Sequence, residues 1–318
     1  MTDAIWCHGE RFRTRNALVV DADFDLRLRE AALTWIRIQQ LKGDGLVTWR
    51  DLMDFQFEGT TVALIGQQGI RKPASLDAAL TITTTFQPDP TKRPYADEIG
   101  SDGLMRYKWQ GLDAGNYWNV SLRHAMERQL PLIYFVGIAT GTYQAIAPVY
   151  LVAEEPQQAQ FVVALSHDEL VVAHNSTDVV ELRRYAGVMT RQRLHQPVFR
   201  ARVLRAYASR CALCHLGHAG LLDAAHIRSD SEGGDPVVPN GIAMCKLHHA
   251  TFDQNILGVD PKLQIHVRGD VLHEIDGPTL QHSIKELNGS RIAVPSSRRS
   301  RPDPALLEER FERFRLAG

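Results

Sequence analysis

Apolar residues along the chain change their spacing three times, and each change predicts a different kind of structure. In FDLRLREAALTWIRIQQL, residues 24 to 41, the positions Phe24, Leu28, Ala31, Ala32, Trp35 and Ile38 recur at helical intervals and Gly43 follows. That predicts one amphipathic helix. From 60 to 165 the texture becomes short runs rich in β-branched and aromatic residues: TTVALIG, AALTITTTF, MRYKWQG, LPLIYFVGIA, APVYLVAEE and QFVVAL, punctuated by Gly, Pro and Asp. These predict a compact, curved β domain. A more helical stretch covers about 178 to 209, and a cysteine and histidine region between two short apolar runs comes after it. The tail SRIAVPSSRRSRPDP has the composition of a linker, and ALLEERFERFRL reads as a terminal helix. No internal repeat is visible.

A chain of 318 residues, 44% hydrophobic and 8% aromatic, has room for two globular domains. The N-terminus lacks the apolar core of a signal peptide, and no segment offers eighteen uninterrupted apolar residues, so no membrane partner and a cytoplasmic location are expected. With 36 Lys+Arg against 37 Asp+Glu, the net charge of -1 excludes a chain coated all over in nucleic-acid-binding charge. The distribution alters that picture. Between Arg183 and Arg210 lie Arg183, Arg184, Arg191, Arg193, Arg200, Arg202, Arg205 and Arg210 with no Asp or Glu. A solvated helix face is one explanation; contact with a phosphate backbone, with Arg200 and Arg205 as substrate-binding residues, is the other.

Of the four cysteines, Cys7 stands alone and reads as an ordinary thiol. The other three suit a metal in a reducing compartment better than disulfides. Cys211 and Cys214 form one knuckle, in RCALCH, and CKLHHATFD supplies the second. Matching the Cys-x-x-Cys spacing pairs Cys245 with His248, so Cys211, Cys214, Cys245 and His248 complete a tetrahedral zinc site and His249 is left free. Between the knuckles runs LLDAAHIRSDSEGGDPVVPNGIAMC, with His226 after an apolar run, Gly233-Gly234 at a turn and Asn240 five residues before Cys245.

In the order of these elements, from Cys211 to about Val267, the chain resembles the HNH endonucleases, whose ββα-metal fold hangs two strands and a helix on a metal site. The resemblance implies that His226 is the general base, that Asn240 holds the loop carrying it, and that His249 takes part in catalysis. A neutral imidazole suits the task of removing a proton from attacking water. His249 and Asp253 stand four apart, on one face of a helix, and are expected to hold a catalytic Mg2+ or Mn2+. One position departs from the pattern: many members carry an Asp or His ligand just before the general base, and here it is Ala225. Either the ion has fewer protein ligands or Asp223 reaches it.

The segment from about 66 to 166 is similar, more loosely, to the SRA-type domain, a PUA-like β-barrel that flips a modified cytosine out of DNA. Tyr95 and Asp97 in PYAD match its pocket Tyr and Asp, Phe86 and Trp109 are candidate stacking partners, and Asn119 matches its Asn-x-x-Leu element. A flipped cytosine presents an amine that a carboxylate can accept from and a face on which an aromatic can stack. The expected fold class is therefore α+β: an N-terminal SRA/PUA-like curved β-barrel domain with flanking helices over 1–166, a basic helical linker over 167–200, a zinc-stapled ββα-metal HNH domain over 201–290, and a tail with a terminal helix over 291–318. The expected function is a modification-dependent restriction endonuclease acting on double-stranded DNA, with 5-methyl, 5-hydroxymethyl and N4-methylcytosine all open and a homodimer left open. An HNH nicking or homing enzyme that reads unmodified DNA, and a non-catalytic zinc module, are the alternatives.

Overall fold

The computed structural model describes residues 22–42, 45–86, 99–175 and 179–317. Cys7, Tyr95 and Asp97 lie outside the described residues, as do the side chains of Arg183 and Arg191. The first helix, α1 (Ala22–Gln40), buries Leu28, Ala32 and Ile36, a stripe of residues four apart. Ile38, expected on that face, is 47% exposed because it lies ten residues past Leu28 and is turned off the stripe. A buried pair fastens the helix down. Arg29 Nε donates to Asp25 at 2.6 Å and Nη1 to the carbonyls of Ala79 and Pro131, so its charge is balanced where water is excluded, while Nη2 is buried without a partner among the described residues.

After α1 come β1 (Leu46–Thr48), α2 (Trp49–Met53), the small hairpin β2 (Gln56–Phe57) and β3 (Thr60–Thr61), then β4 (Ile70–Arg71), β5 (Thr81–Thr84), β6 (Met105–Lys108), α3 (Tyr117–Glu127), β7 (Leu132–Ala139), β8 (Thr142–Glu155) and β9 (Gln160–Ala164). Seven of these strands form one sheet in the order β4-β5-β7-β8-β9-β6, with β1 also on β8. All pairings are antiparallel except β5 with β7. Strand β8 is 14 residues long. Its first part pairs with β7 and its second with β9, and both ladders shift register, so the sheet curls. Both faces of the sheet are covered. Along β7, Ile133 and Phe135 join the cluster of Leu28, Ile36 and Leu64, whereas Leu132, Tyr134 and Val136 join that of Leu122, Val149 and Phe161. A strand buried on both sides needs no polar alternation, hence the unbroken run LIYFVGIA.

Helices α4 (His167–Asn175) and α5 (Val179–Thr190), a π-helical turn over Arg191–His195, and α6 (Gln196–Ala206) lead to the second unit. This unit contains β10 (Leu222–His226), β11 (Gly241–Cys245), α7 (Lys246–Asp253), β12 (Leu257–Val259), β13 (Ile265–Val267), α8 (Gly269–His273), α9 (Pro278–Ser283) and α10 (Pro304–Leu316). The whole is a mixed α+β structure, and among the described residues no helix is long and apolar enough to cross a membrane.

The segment expected to be a linker and tail is instead fastened along its length. Ala293 N–H donates to Ala212, Ile292 N–H to Leu263, and Leu307 of α10 is fully buried. Arg310 donates to the Asn255 side chain and to the carbonyl of Phe252, over whose ring it sits. The serine- and arginine-rich composition signalled exposure, and its arginines are exposed, yet Arg291 donates to the carbonyl of Lys262 and Arg301 to that of Pro295.

Candidate functional site

The two knuckles meet as the sequence spacing requires. Cys211 N–H donates to Leu216 and His215 N–H to Cys211, a tight turn completed by His215 at φ 62°. Ala212 N–H donates to Ala243 in β11, which docks the turn beside Cys245 at the end of that strand. One turn into α7, His248 is 1% exposed, its Nδ1 lying 3.4 Å from Cys211 Sγ and 3.2 Å from Cys245 Sγ. Cys214 Sγ is 4.0 Å from Cys245 Sγ, and all four ligand atoms lie within 4.8 Å of one another. Three sulfurs and one imidazole nitrogen gathered this closely can hold a zinc ion, whose bonds to them would be about 2.0–2.3 Å. The other ring nitrogen of His248 donates to the carbonyl of Ser283 at 2.7 Å, which fixes Nδ1 as the face turned to the sulfurs. Sequence reading missed Ser283, because a backbone acceptor 35 residues away leaves no side-chain signature.

On the same hairpin, His226 ends β10 opposite Gly241, and Asp223 lies opposite Met244. Asn240, 1% exposed, accepts from Arg228 N–H at 2.9 Å and donates to the carbonyls of Arg228 at 3.0 Å and Asp235 at 2.9 Å. It thereby staples the loop that follows His226. The same loop needs Gly234, since a Cβ there would lie 2.1 Å from the Arg228 carbonyl oxygen. The loop is held from its outer side as well: Arg228 pairs with Glu309 and Arg313 with Glu232, both partners in α10 or facing it.

The His226 ring stacks on Phe199 of α6, centroids 3.9 Å apart and planes at 15°, and its Nε2 is buried without a hydrogen-bond partner among the described residues. Burial lowers the pKa of His226, with Asp230 and Asp253 pulling the other way and His249 adding to the depression. The imidazole is thus neutral at ordinary pH. Across the site, His249 stands between two carboxylates, Nε2 being 3.3 Å from Asp253 Oδ2 and Nδ1 3.6 Å from Asp223 Oδ2. Asp223 in turn faces Lys246 and Arg200. The hairpin thus carries His226 and Asn240 at its loop end and Asp223 three pairs away toward Cys245, where His249 of α7 stands between Asp223 and Asp253.

Comparison with known proteins agrees with this geometry: a family model described as HNH endonuclease matches residues 211–260. Residues 211–260 are an HNH endonuclease domain. The chain thus carries a DNA endonuclease, as the sequence led one to expect. Among solved structures it is similar to a modification-dependent TagI restriction endonuclease, at 17% identity over 78% of this chain and 85% of that one, with a TM-score of 0.28. It is also similar to the type IV phosphorothioation-dependent restriction endonuclease ScoMcrA, at 14% identity over 58% and 48%, with a TM-score of 0.25. No curated protein matches the chain.

Around the HNH domain, the arginine run divides into separate tasks. Arg193 donates to Ala147, Arg210 to His215, and Arg200 to the carbonyls of Ala219 and of Leu222, the first residue of β10. These side chains brace the fold. Arg205, by contrast, is exposed along a groove with Leu46, Ala208 and Ser209. On the curled sheet, a cavity of about 190 Å³ is lined by Gly69, Thr83, Thr84, Thr85, Tyr107 and Trp109, among others. Tyr107 closes its base by donating to the carbonyls of Gly69 and Thr83. Trp109 is buried with Nε1 lacking a partner among the described residues, and Phe86, half-buried, follows directly after Thr85. Asn119 accepts from Gln110 N–H and donates to the carbonyls of Gln110 and Asp113, tying α3 to the strand end that lines the cavity.

Proposed function

We propose that the protein is a modification-dependent restriction endonuclease: the HNH domain hydrolyses phosphodiester bonds in double-stranded DNA, and an SRA-like N-terminal domain admits duplexes carrying a modified cytosine. The observation that carries the chemical half is the position of His226. Its ring is kept neutral by burial beside the His249–Asp253 pair, on a loop stapled by Asn240. A neutral imidazole accepts the proton of the attacking water, and geometry at that ring decides the rate. His249 Nε2 and Asp253 Oδ2 would hold a divalent ion, Mg2+ or Mn2+, which when bound offsets charge on the scissile phosphate. Asp223 Oδ2 faces the other nitrogen of His249 from 3.6 Å, an electrostatic contact that favours this orientation of the ring without joining the ion.

The cavity beside Trp109 supports the reading half. It has aromatic walls from Tyr107 and Trp109, hydroxyls from Thr83 to Thr85, and space for a single flipped base rather than a longer segment. Tyr95 and Asp97 retain their proposed part as pocket residues, Asp97 accepting from the cytosine amine. Arg205 is the proposed phosphate contact, whereas Arg200 acts through the strand it braces.

The test is a panel of otherwise identical duplexes, each with one modified cytosine, digested with Mg2+ or Mn2+ by wild type and by Thr85→Trp, which fills the cavity. Cutting confined to one modified duplex and lost in Thr85→Trp is the expected result. Equal cutting of unmodified DNA by both proteins would overturn the reader assignment, and no cutting of any duplex would overturn the nuclease assignment.

A further inference from the structure

Helix α6 belongs to both hydrophobic cores. Val198 and Ala201 pack with Leu122, Val149 and Phe161 in the N-terminal core, while Phe199, Val203 and Leu204 pack with Leu222, Ile242 and Phe252 around the HNH hairpin. The one aromatic ring that this helix sends into the second core lies flat on the His226 imidazole, at 3.9 Å and 15°. Phe199 is itself 2% exposed, and its ring edge lies close to Gly241, the residue paired with His226 across the hairpin. A Cβ at Gly241 would come within 2.7 Å of Phe199 Cζ and 2.6 Å of Val203 Cγ2, so the ring fills its slot without slack.

We infer that Phe199 is a positioning residue for the general base, setting the plane of the His226 ring from a helix anchored in the N-terminal domain. The argument rests on reading His226 as the base and goes one step beyond it. A base delivers its lone pair along the ring plane, and His226 Nε2 is buried with no hydrogen bond among the described residues to set that plane. Stacking against a flat, immobile face does so instead. An aliphatic side chain of similar bulk would fill the slot and leave the imidazole free to turn about its χ2. Because α6 is fixed by both cores, any shift of the N-terminal domain relative to the hairpin would reach His226 through this ring.

The experiment compares wild type, Phe199→Leu, Gly241→Ala and His226→Ala for three properties: affinity for the cleavable duplex, single-turnover cleavage at saturating enzyme, and the ring-proton shifts of His226 in histidine-labelled protein. Phe199→Leu should bind the duplex as wild type does, cleave on the order of tenfold to a hundredfold more slowly, and lose the ring-current displacement of the His226 protons. Gly241→Ala, whose extended backbone accommodates alanine, pushes the same ring aside and should act in the same direction. A wild-type cleavage rate in folded Phe199→Leu overturns the inference, and so does a rate loss matched by an equal loss of affinity, which is what mere packing damage gives. Should Phe199→Leu fail to fold, Gly241→Ala decides by the same criteria. His226→Ala separates the two claims: if it cuts at the wild-type rate, the assignment of the base fails, whereas an inactive His226→Ala beside a fully active Phe199→Leu refutes the positioning alone.

Discussion

Asn240 offers the sharpest test of how the site is held together, because two substitutions of nearly equal size should fail for different reasons. Its amide makes three hydrogen bonds to backbone groups of the loop after His226, at 2.9, 3.0 and 2.9 Å. Asn240→Ala leaves Arg228 N–H and two carbonyls without partners. At about 1 kcal/mol net per bond, the loss is about 3 kcal/mol if water partly re-solvates the loop. Asn240→Asp keeps the acceptor for Arg228 N–H but aims a second oxygen at the carbonyl oxygens of Arg228 and Asp235, about 3 Å away. That repulsion should make the aspartate no better than alanine despite its matching shape. A domain with a typical stability of about 5–15 kcal/mol stays folded after such a loss, so the effect on cleavage can be separated from unfolding. Chemical denaturation gives the stability change, and single-turnover cleavage at a temperature where every variant is folded gives the functional one. Both variants should cleave far more slowly than wild type. Asn240→Asp with wild-type stability and activity would show that these hydrogen bonds do not hold the loop.

Purified protein should contain about one tightly bound zinc per chain, measured by elemental analysis, and Cys211→Ser should lower both zinc content and folding yield. His226→Ala should bind duplex normally while cleaving at least about a hundredfold more slowly in single-turnover assays. Since burial lowers the His226 pKa, the imidazole becomes a usable base on the way up in pH at a value below the histidine norm of about 6.5. The acid limb of a single-turnover pH profile should therefore fall below that pH, with cleavage lost as pH decreases through the limb. The same depression means that stability from this group is fully present above about 6.5 and is lost as pH falls through the folded value. Arg205→Glu should weaken binding to modified and unmodified duplexes alike and flatten the salt dependence, measured at two salt concentrations.

The metal cluster and the residues around it were largely legible in the sequence because they are local. Cys211 to Cys214 and Cys245 to His248 are each separated by a single turn of chain, and an i,i+4 spacing alone sets His249 beside Asp253. The helix α1 and the strand-rich run after it were legible too, since burial imposes its period on whatever sequence forms the element. Other features depended on partners far away in the chain. Asp223, three residues before His226, faces His249 only because α7 packs across β10. The eight arginines of 183–210 read as one basic stripe, yet several of their guanidinium groups reach carbonyls that the tertiary structure brings to them. Composition marked 290–304 as a linker, but its backbone hydrogen bonds to Ala212, Leu263 and Pro239 and the burial of Leu307 bind it and α10 to the second unit. Phe199 carries no signature at all: a phenylalanine in an apolar helix stripe is indistinguishable from any core residue until the fold lays His226 against it. Spacing along the chain specifies which groups one element can present together. Which groups from different elements meet is decided by packing, where burial of apolar surface selects the arrangement and the polar contacts follow from it.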